Sequence, residues 1–451
     1  MTALPEIFVN QMKDLLPPDE FSAFCKSYDN PTVRGLRLNR LKPSNIFSGL
    51  PRVPWCAEGR IYPDTDRPAK SIFYHAGLFY IQEPSAMCPV EVLKPQPGHR
   101  VLDLCAAPGG KSAQIAGHMQ GEGLLVSNDA SPSRSRALVK NLERMGVTNA
   151  VVITEMPKKL ADRFPEFFDR ILVDAPCSGE GMFRRDPDVV KAYTANKPEA
   201  CVEMQTDILR HAIKMLKPGG RLVYSTCTFN TMENEYLLAG MCERNPELTV
   251  VPIDHAALGI SQGLAGLPQA GRIFPHLANG EGHFVALLEK MCESNASGRP
   301  RAIAPTSPQT ENCPKEFTEF RNQYIVGNFP AGYIVSHGAN LYLQPEPLDL
   351  RGLRVARSGW YLGECTKGRF VPSHALAMGL RKSDFLYTVD LSEENANRYL
   401  HGESLDASEM FDTQPKDKLW VVVCYEGYPL GWARLVQGRL KNSLPVGLVV
   451  K

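Results

Sequence analysis

Short apolar runs alternate with segments of helical spacing through the middle of the chain. The runs that predict strands are residues 100–104, 123–126, 150–153, 170–173, 221–224 and 282–288. Apolar residues recur at a helical period in residues 132–145 and 198–216, and Asn230 is predicted to cap a later helix, with Glu233 completing a capping box. This alternation indicates an α/β fold with a mostly parallel sheet and helices on both of its faces.

Chemically distinctive residues lie where the predicted strands end. A glycine-rich turn at residues 103–111 follows the first strand, and Asp129, Asp174 and Cys227 lie at the ends of three other strands. Ligands of such sheets bind beyond the carboxyl ends of the strands. These residues are therefore expected to meet in one crevice.

Composition divides the chain into four parts. Residues 291–315 are rich in Pro, Ser, Asn and Thr and have no periodicity, which predicts a linker. Before it, residues 76–290 contain the α/β pattern, and residues 1–75 form an N-terminal module. After it, residues 316–451 contain short apolar runs separated by glycine, which predict a small, separate β-rich domain. Its predicted strands are residues 341–343, 386–389 and 420–425.

Length and composition restrict the class of protein. The chain has 451 residues, of which 43% are hydrophobic, enough for ordinary globular cores. It has no apolar run long enough to span a membrane, and its first residues lack a signal-peptide pattern, so we expect a cytoplasmic protein without membrane contact. No two of the 12 cysteines lie within four positions of each other. This spacing excludes C-x-x-C zinc and redox motifs, and no metal is expected.

The net charge of +1 does not indicate a nucleic-acid binder, but the distribution of charge does. There is no acidic residue between Asp29 and Glu58, and there is none after Glu426. The first of these intervals contains Arg34, Arg37, Arg40, Lys42 and Arg52. A third basic zone spans residues 351–382. We interpret these zones as terminal modules that bind a phosphate backbone while the middle of the chain stays neutral.

The glycine-rich turn indicates a nucleoside-type cofactor. Residues 105–111 have neither the spacing of a dinucleotide fingerprint nor that of a Walker motif. Gly109 and Gly110 still let a ligand approach the backbone, and the N–H groups that open the next helix suit an anion. Asp129 lies 19 residues after Gly110, about where an acid receives ribose hydroxyls in nucleotide-binding folds.

Two cysteines lie at neighbouring predicted strand ends. Cys177 follows Pro176 in a turn beside Asp174. Cys227 lies between a strand end and a helix N-terminus, whose dipole lowers the pKa of a thiol. A buried packing role explains either cysteine taken alone. The two together indicate a transferase that attacks a ring carbon with one thiol and releases the product with the other.

Several segments resemble a known family. Residues 103–112, 174–179 and 225–228 resemble the signature motifs of the Sun-type RNA cytosine-5 methyltransferases, and residues 82–87 resemble the segment before their catalytic domain. Three further features are similar to one group within this family, the bacterial ribosomal RNA small subunit methyltransferase F group. They are residues 180–187, His276 and residues 280–284. The resemblance implies a Rossmann-like class I methyltransferase domain over residues 76–290, an RNA-binding N-terminal module, and a PUA-like RNA-binding domain over residues 316–451.

The resemblance also implies roles for single residues. Cys227 would be the nucleophile that adds to C6 of cytosine, and Cys177 would assist elimination after methyl transfer. Asp174 would bond the cytosine edge and share or donate a proton at N3, and Lys111 would help to hold that site. Thiolate addition at C6 makes C5 able to attack a methyl group, which splits one difficult step into two easier ones.

The implied cofactor is S-adenosylmethionine. The residues implied to hold it are Cys105, Ala106, Ala107, Pro108, Gly109, Gly110, Lys111, Asp129, Arg134 and Asp174. In the family the third strand usually ends with an acid near the adenine. Here the spacing places Met156 at that position, and the adjacent Glu155 is the candidate substitute.

The sequence thus predicts methyl transfer from S-adenosylmethionine to C5 of cytosine in 16S ribosomal RNA through a covalent cysteine–C6 adduct. The expected partner is 16S ribosomal RNA or the small ribosomal subunit, and a monomer is expected. One alternative is a DNA cytosine-5 methyltransferase, in which a Pro-Cys dipeptide would make Cys177 the nucleophile. The Thr-Cys pair at Cys227 and the C-terminal domain argue against it. Another is a ribosome-assembly factor that binds RNA without turnover, against which Cys177, Cys227, Asp174 and Lys111 all argue.

Overall fold

The computed structural model describes residues 4–292, 313–327, 329–366, 368–408, 410–411 and 418–450. Most of the predicted linker, residues 293–312, lies outside these ranges. Within them the strands form four sheets. No helix in the described ranges is long and apolar enough to cross a bilayer.

The N-terminal module combines helices with a small antiparallel sheet. Its elements are α1 Glu6–Leu15, α2 Pro18–Ser27, β1 Arg34–Leu38, β2 Arg52–Val53, β3 Cys56–Tyr62, α3 Ile72–His75 and β4 Phe79–Ile81. The four strands lie in the order β2-β3-β1-β4. Phe8 of α1 packs edge-on against Phe183, and Phe24 of α2 packs edge-on against Phe229. The module therefore contacts the loops that follow the central strands.

The central domain has the parallel sheet that the alternating pattern predicts. Its helices are α4 Cys88–Leu93, α5 Gly110–Met119, α6 Pro132–Arg144, α7 Pro157–Arg163, α8 Pro187–Ala192, α9 Lys197–Met215, α10 Glu235–Arg244 and α11 His255–Leu258. Its strands are β5 Arg100–Asp103, β6 Leu124–Asn128, β7 Ala150–Ile153, β8 Phe168–Asp174, β9 Leu216–Thr226, β10 Leu248–Val251, β11 Ser261–Gln262, β12 Gly271–Ile273 and β13 His283–Lys290. Strands β9, β8, β5, β6 and β7 are parallel neighbours in that order, and β13 pairs antiparallel with β9. Val126 and Ile171 are fully buried because helices cover both faces of the sheet.

The C-terminal part contains two further sheets and also extends the central one. Its elements are α12 Lys315–Tyr324, β14 Tyr333–His337, β15 Asn340–Gln344, β16 Val355–Arg357, β17 Trp360–Thr366, β18 Arg369–Pro372, α13 His374–Met378, β19 Thr388–Asp390, α14 Glu393–Leu400, β20 Leu405–Asp406, β21 Trp420–Tyr425, β22 Tyr428–Val436 and β23 Arg439–Asn442. The sheets have the orders β14-β15-β17-β18 and β19-β21-β22-β23-β20. Strand β16 instead pairs with β7, with Val355 opposite Ile153. The sequence predicted a separate domain here. A strand of three residues is too short to show a periodic pattern, so the sequence could not reveal the pairing of β16 with β7.

The predicted capping box at Asn230 does not form. Helix α10 begins five residues later, at Glu235. The side-chain amide of Asn230 donates to Gln11 of α1 at 2.8 Å, and the Glu233 carboxylate accepts from the N–H of Ser178 at 2.9 Å. Both polar side chains are buried and bond to distant partners, although Oδ1 of Asn230 also accepts locally from the N–H of Met232 at 2.9 Å.

Two of the cations in the N-terminal interval that has no acidic residue are buried inside the protein. Arg37 is buried and donates to the carbonyl oxygen of Gly110 at 2.7 Å. Lys42 is also buried and donates to the carbonyl oxygen of Ala76 at 2.7 Å, and burial lowers its pKa to about 7. These two cations are therefore not available to a phosphate backbone, whereas Arg52 is exposed.

Candidate active site

The predicted site residues converge at one edge of the central sheet. Strand β5 ends at Asp103, β8 at Asp174 and β9 at Thr226, and the three strands are parallel neighbours. Their carboxyl ends therefore meet, and a cavity of about 370 Å³ opens there. The predicted residues that line it are Cys105, Ala106, Ala107, Pro108, Gly110, Lys111, Asp174 and Cys227.

The two predicted catalytic thiols are in contact. The Sγ atoms of Cys177 and Cys227 lie 3.4 Å apart, which is a hydrogen-bonding distance. The parallel pairing of β8 with β9 brings them together, because each cysteine lies just beyond the end of its strand. The hydrogen bond with Cys227 and, after it, burial raise the pKa of Cys177 well above the usual value. Cys177 therefore holds its proton at neutral pH.

Asp174 and Lys111 form an ion pair at the carboxyl ends of the same strands. Oδ2 of Asp174 accepts from Nζ of Lys111 at 2.8 Å, and Oδ1 accepts from Oγ of Ser225 at 2.8 Å. Nε2 of His283 lies 3.5 Å from Oδ1. Burial alone would raise the pKa of Asp174, but Lys111 and then His283 outweigh it and hold that pKa well below its usual range. Burial would lower the pKa of Lys111, but Asp174 outweighs it and raises that pKa.

Asp129 and Arg134 support the glycine-rich turn rather than line the cavity. Oδ2 of Asp129 accepts from the N–H of Ala107 at 3.3 Å, and the Arg134 guanidinium donates to the carbonyl oxygen of Ala107 at 2.7 Å. Gly109 also lies outside the cavity wall, with φ of 111° in the region that favours glycine. The conformation of the turn is therefore stabilised by the backbone at Gly109 and by hydrogen bonds with Asp129 and Arg134.

Glu155 and Met156 are the residues after β7 at the position where the family usually has an acid near the adenine. Met156 follows β7 and its side chain is 58% exposed. The Glu155 carboxylate is buried, and it accepts from Nζ of Lys159 at 2.7 Å and from the backbone N–H of Arg354 at 2.8 Å. Burial would raise the pKa of Glu155, but Lys159 and Arg354 outweigh it and lower that pKa. Glu155 thus pairs with α7 and with the C-terminal part of the chain.

Buried polar groups fix the loop that carries Cys177. The Glu233 carboxylate accepts from the N–H of Ser178 at 2.9 Å and from the amide of Gln205 at 2.8 Å. The same amide donates to the carbonyl oxygen of Pro176 at 2.9 Å. The residues on both sides of Cys177 are therefore held, which restricts where its thiol can lie.

The cavity also contains side chains to which sequence reasoning gave no role. Gln82 and Glu83 follow β4, Met182 lies beyond the Cys177 loop, and His283 begins β13. All four belong to segments that resemble the family's motifs. That resemblance is the signal that could have identified them, because the chain positions alone lie up to about 200 residues apart.

Comparisons with known proteins agree with this architecture. A family model described as 16S rRNA methyltransferase RsmB/F matches residues 90–289, and one for the N-terminal domain of 16S rRNA methyltransferase RsmF matches residues 4–84. Models for the RsmF rRNA methyltransferase first C-terminal domain and for the methyltransferase RsmF PUA domain match residues 318–380 and 386–450. The fold and these matches define an rRNA methyltransferase.

Relatives of similar length identify the family within this class of methyltransferases. A ribosomal RNA small subunit methyltransferase F from Erwinia tasmaniensis is 33% identical over 474 residues, covering 99% of this chain and 96% of its own. Another from Shewanella oneidensis is 33% identical over 477 residues, covering 100% of this chain and 98% of its own. The chain belongs to the ribosomal RNA small subunit methyltransferase F family.

Solved structures share the fold over part of the chain. A methyltransferase homologue from Pyrococcus horikoshii has a TM-score of 0.55 at 29% identity, covering 64% of this chain and 95% of its own. NSun6 from the same organism, solved with SFG, has a TM-score of 0.56 at 23% identity, covering 64% and 99%. The predicted Rossmann-like methyltransferase fold is confirmed.

Proposed function

We propose that the protein transfers a methyl group from S-adenosylmethionine to C5 of cytosine in 16S ribosomal RNA, through a covalent bond between Cys227 and C6. The observation that supports this most strongly is the contact between Cys227 and Cys177, 3.4 Å apart, beside the Asp174–Lys111 ion pair. A nucleophile, a second thiol and a charged pair for the base edge are the groups that this chemistry requires. The names of the full-length relatives support the ribosomal RNA substrate.

The glycine-rich turn fits S-adenosylmethionine. A Cβ atom on Gly110 would lie 3.0 Å from the Tyr80 ring and 3.2 Å from the Gln82 amide, so a side chain there would fill space between cavity residues. Asp129 lies directly behind the turn with a buried carboxylate, and it is proposed to receive the ribose hydroxyls, as the acid at this spacing does in related folds. When bound, S-adenosylmethionine supplies an electrophilic methyl group.

Asp174 and Lys111 are proposed to hold the cytosine edge with fixed charges. Asp174 is ionised at neutral pH because its pKa is depressed, so it accepts from the N4 amino group of cytosine. This differs from the sequence-based expectation that Asp174 donates a proton at N3. Lys111 carries the proton of the pair, and its charge stabilises the negative charge that develops on the ring when Cys227 adds to C6.

Cys177 is proposed to accept the C5 proton. Its pKa is raised first by the hydrogen bond with Cys227, then by burial and by the charge of Cys227. The two contributions of Cys227 that raise this pKa disappear once its sulfur is a neutral thioether. Cys177 then releases its own proton to solvent, and the resulting thiolate accepts the C5 proton. Removal of the C5 proton returns the electron pair to the C5–C6 bond and expels the Cys227 sulfur as a thiolate.

Methyl transfer from labelled S-adenosylmethionine to 16S ribosomal RNA, free or in the small subunit, tests the proposal. We expect label in the RNA and a new bisulfite-resistant cytosine at the modified position. Label in DNA but not in RNA would indicate a DNA cytosine-5 methyltransferase. RNA binding without any incorporation of label would indicate an assembly factor, and either result would contradict the proposed function.

Replacing Asp129 with alanine is expected to weaken S-adenosylmethionine binding by about 1–3 kcal/mol, because ribose hydroxyls and the Ala107 N–H lose a buried partner. Isothermal titration calorimetry measures the effect. Asp162→Ala is the matched control, since Asp162 is exposed on α7 and pairs with Lys158. An unchanged affinity in Asp129→Ala would remove this residue from the cofactor site.

A further inference from the structure

A second cavity, of about 540 Å³, lies where the three parts of the chain meet. Its wall is formed by α3 of the N-terminal module, α6 of the central domain, and α14 with residues 444–450 of the C-terminal part. Among the described residues, none lines both this cavity and the cavity of the candidate active site, which Cys227 lines. The methyl-transfer chemistry therefore does not account for it. We refer to it as the junction cavity.

The junction cavity is electropositive. Lys70 and Lys140 are exposed, and the Arg144 guanidinium lies in the wall, 3.7 Å from the centroid of the Tyr74 ring. The acidic residue in the same wall is Glu143, and burial raises its pKa. Three cations against one acidic side chain give the wall a net positive charge, which favours an anionic ligand.

The remainder of the wall is suited to a flat, uncharged ring. Leu400 and Val449 supply apolar surface, and Tyr74 supplies an aromatic ring. Burial and, to a smaller extent, the charge of Arg144 lower the pKa of His75 to about 4. His75 is therefore neutral at pH 7 and can exchange hydrogen bonds without adding charge. Cations beside aromatic and apolar surface form the combination that binds single-stranded nucleic acid.

One side chain connects the junction cavity to the candidate active site. Asn141 lines the junction cavity, and its amide donates to the carbonyl oxygen of Pro108 at 2.9 Å and to the Tyr80 hydroxyl at 3.4 Å. Pro108 and Tyr80 both line the cavity of the candidate active site. Arg144 likewise lies between Tyr74, at 3.7 Å, and Tyr80, at 5.8 Å. The two cavities are thus separated by little more than one face of α6.

We propose that the junction cavity binds one nucleotide of the RNA substrate close to the target cytosine. Its phosphate would contact Lys70 and Lys140, and its base would lie against Tyr74 and the apolar wall. The proposal rests on the proposed function for the identity of the substrate. Because all three parts of the chain form the wall, a nucleotide bound there contacts all three at once and orients the RNA relative to Cys227.

The first test removes the charges from the full-length protein. Lys70→Gln with Lys140→Gln removes both charges and keeps polar side chains. Lys140 now donates to the carbonyl oxygen of Gly447 at 2.8 Å, and an amide at this position retains N–H donors. We expect about tenfold weaker binding of a fluorescent single-stranded RNA oligonucleotide, measured by anisotropy, and a salt slope shallower by about one to two because two phosphate contacts are lost. S-Adenosylmethionine affinity, measured by calorimetry, should not change. The matched control is Lys158→Gln with Lys214→Gln, two exposed lysines on α7 and α9 that line neither cavity.

The second test fills the cavity without changing its charge. Gly447 lines the junction cavity, a Cβ atom on it meets no heavy atom within 4 Å, and its backbone is not left-handed. Gly447→Trp therefore adds a large side chain beside the cavity without strain. We expect RNA affinity to fall at least fivefold. RNA affinity of the lysine variant within twofold of its control would overturn the proposal, and so would an undiminished affinity in Gly447→Trp. Both readouts are binding, so a failure of the proposed function would appear separately, as absent methyl incorporation.

Discussion

Replacing Cys227 with alanine is expected to abolish methyl transfer and leave S-adenosylmethionine affinity within several-fold of the original. The thiol is the proposed nucleophile, and its loss should reduce the rate by roughly 10⁴-fold or more, the scale found when nucleophiles are removed from other covalent enzymes. The hydrogen bonds that Asp129 and Arg134 make to the glycine-rich turn do not involve Cys227. Single-turnover methyl transfer and calorimetry measure the two quantities.

Cys242→Ala is the control for this variant, because Cys242 is a partly buried free thiol on α10 that does not line the cavity. It should retain turnover close to that of the original protein. Substantial turnover in Cys227→Ala would show that the nucleophile lies elsewhere. An equal loss in both variants would indicate a general effect on stability.

The sequence predicted the central sheet and the meeting of its strand ends for a physical reason. Buried parallel strands read as short apolar runs, and a parallel sheet places all their carboxyl ends at one edge. Asp174 and Cys227 needed no other information to be placed together. The contact between the two thiols follows from the pairing of Asp174 with Ser225, which aligns the loops beyond β8 and β9.

The supports of the site could not be predicted from local pattern. Glu180 accepts from the side-chain amide of Gln11 at 3.1 Å, across 169 residues of sequence, and from the N–H of Phe229 at 3.0 Å. A periodicity describes one element and contains no information about which distant polar group it meets. The capping box predicted from Asn230 and Glu233 fails for the same reason, since the Glu233 carboxylate bonds to the N–H of Ser178 instead.

The distribution of basic residues also could not be interpreted from the sequence alone. An acid-free interval indicates a basic surface only if its side chains reach solvent, and Arg37 and Lys42 do not. Lys140 lies outside every basic zone that the sequence suggested, yet it faces a cavity built from three parts of the chain. Burial and assembly, rather than charge counting, decide which cations can meet RNA.

The Cys177 thiol admits three roles that one substitution separates. If Cys177 were the nucleophile, Cys177→Ala would be inactive and free of covalent RNA. If it were a packing residue, the change would cost about 1 kcal/mol of stability and leave turnover largely intact. If it removes the C5 proton, addition and methyl transfer should proceed and elimination should stall. The contact of its Sγ with Cys227, and the fixed loop on either side, favour the third role.

We therefore expect Cys177→Ala to accumulate a protein–RNA adduct that is stable to denaturing gel electrophoresis. The adduct should contain the transferred methyl group, because only the final proton removal is blocked. The double variant Cys177→Ala with Cys227→Ala should form no adduct, since the bond runs through the Cys227 sulfur. An adduct in the double variant would refute the roles of both thiols. Absence of an adduct in the single variant would leave Cys227 as the nucleophile but assign the release step to another base near C5.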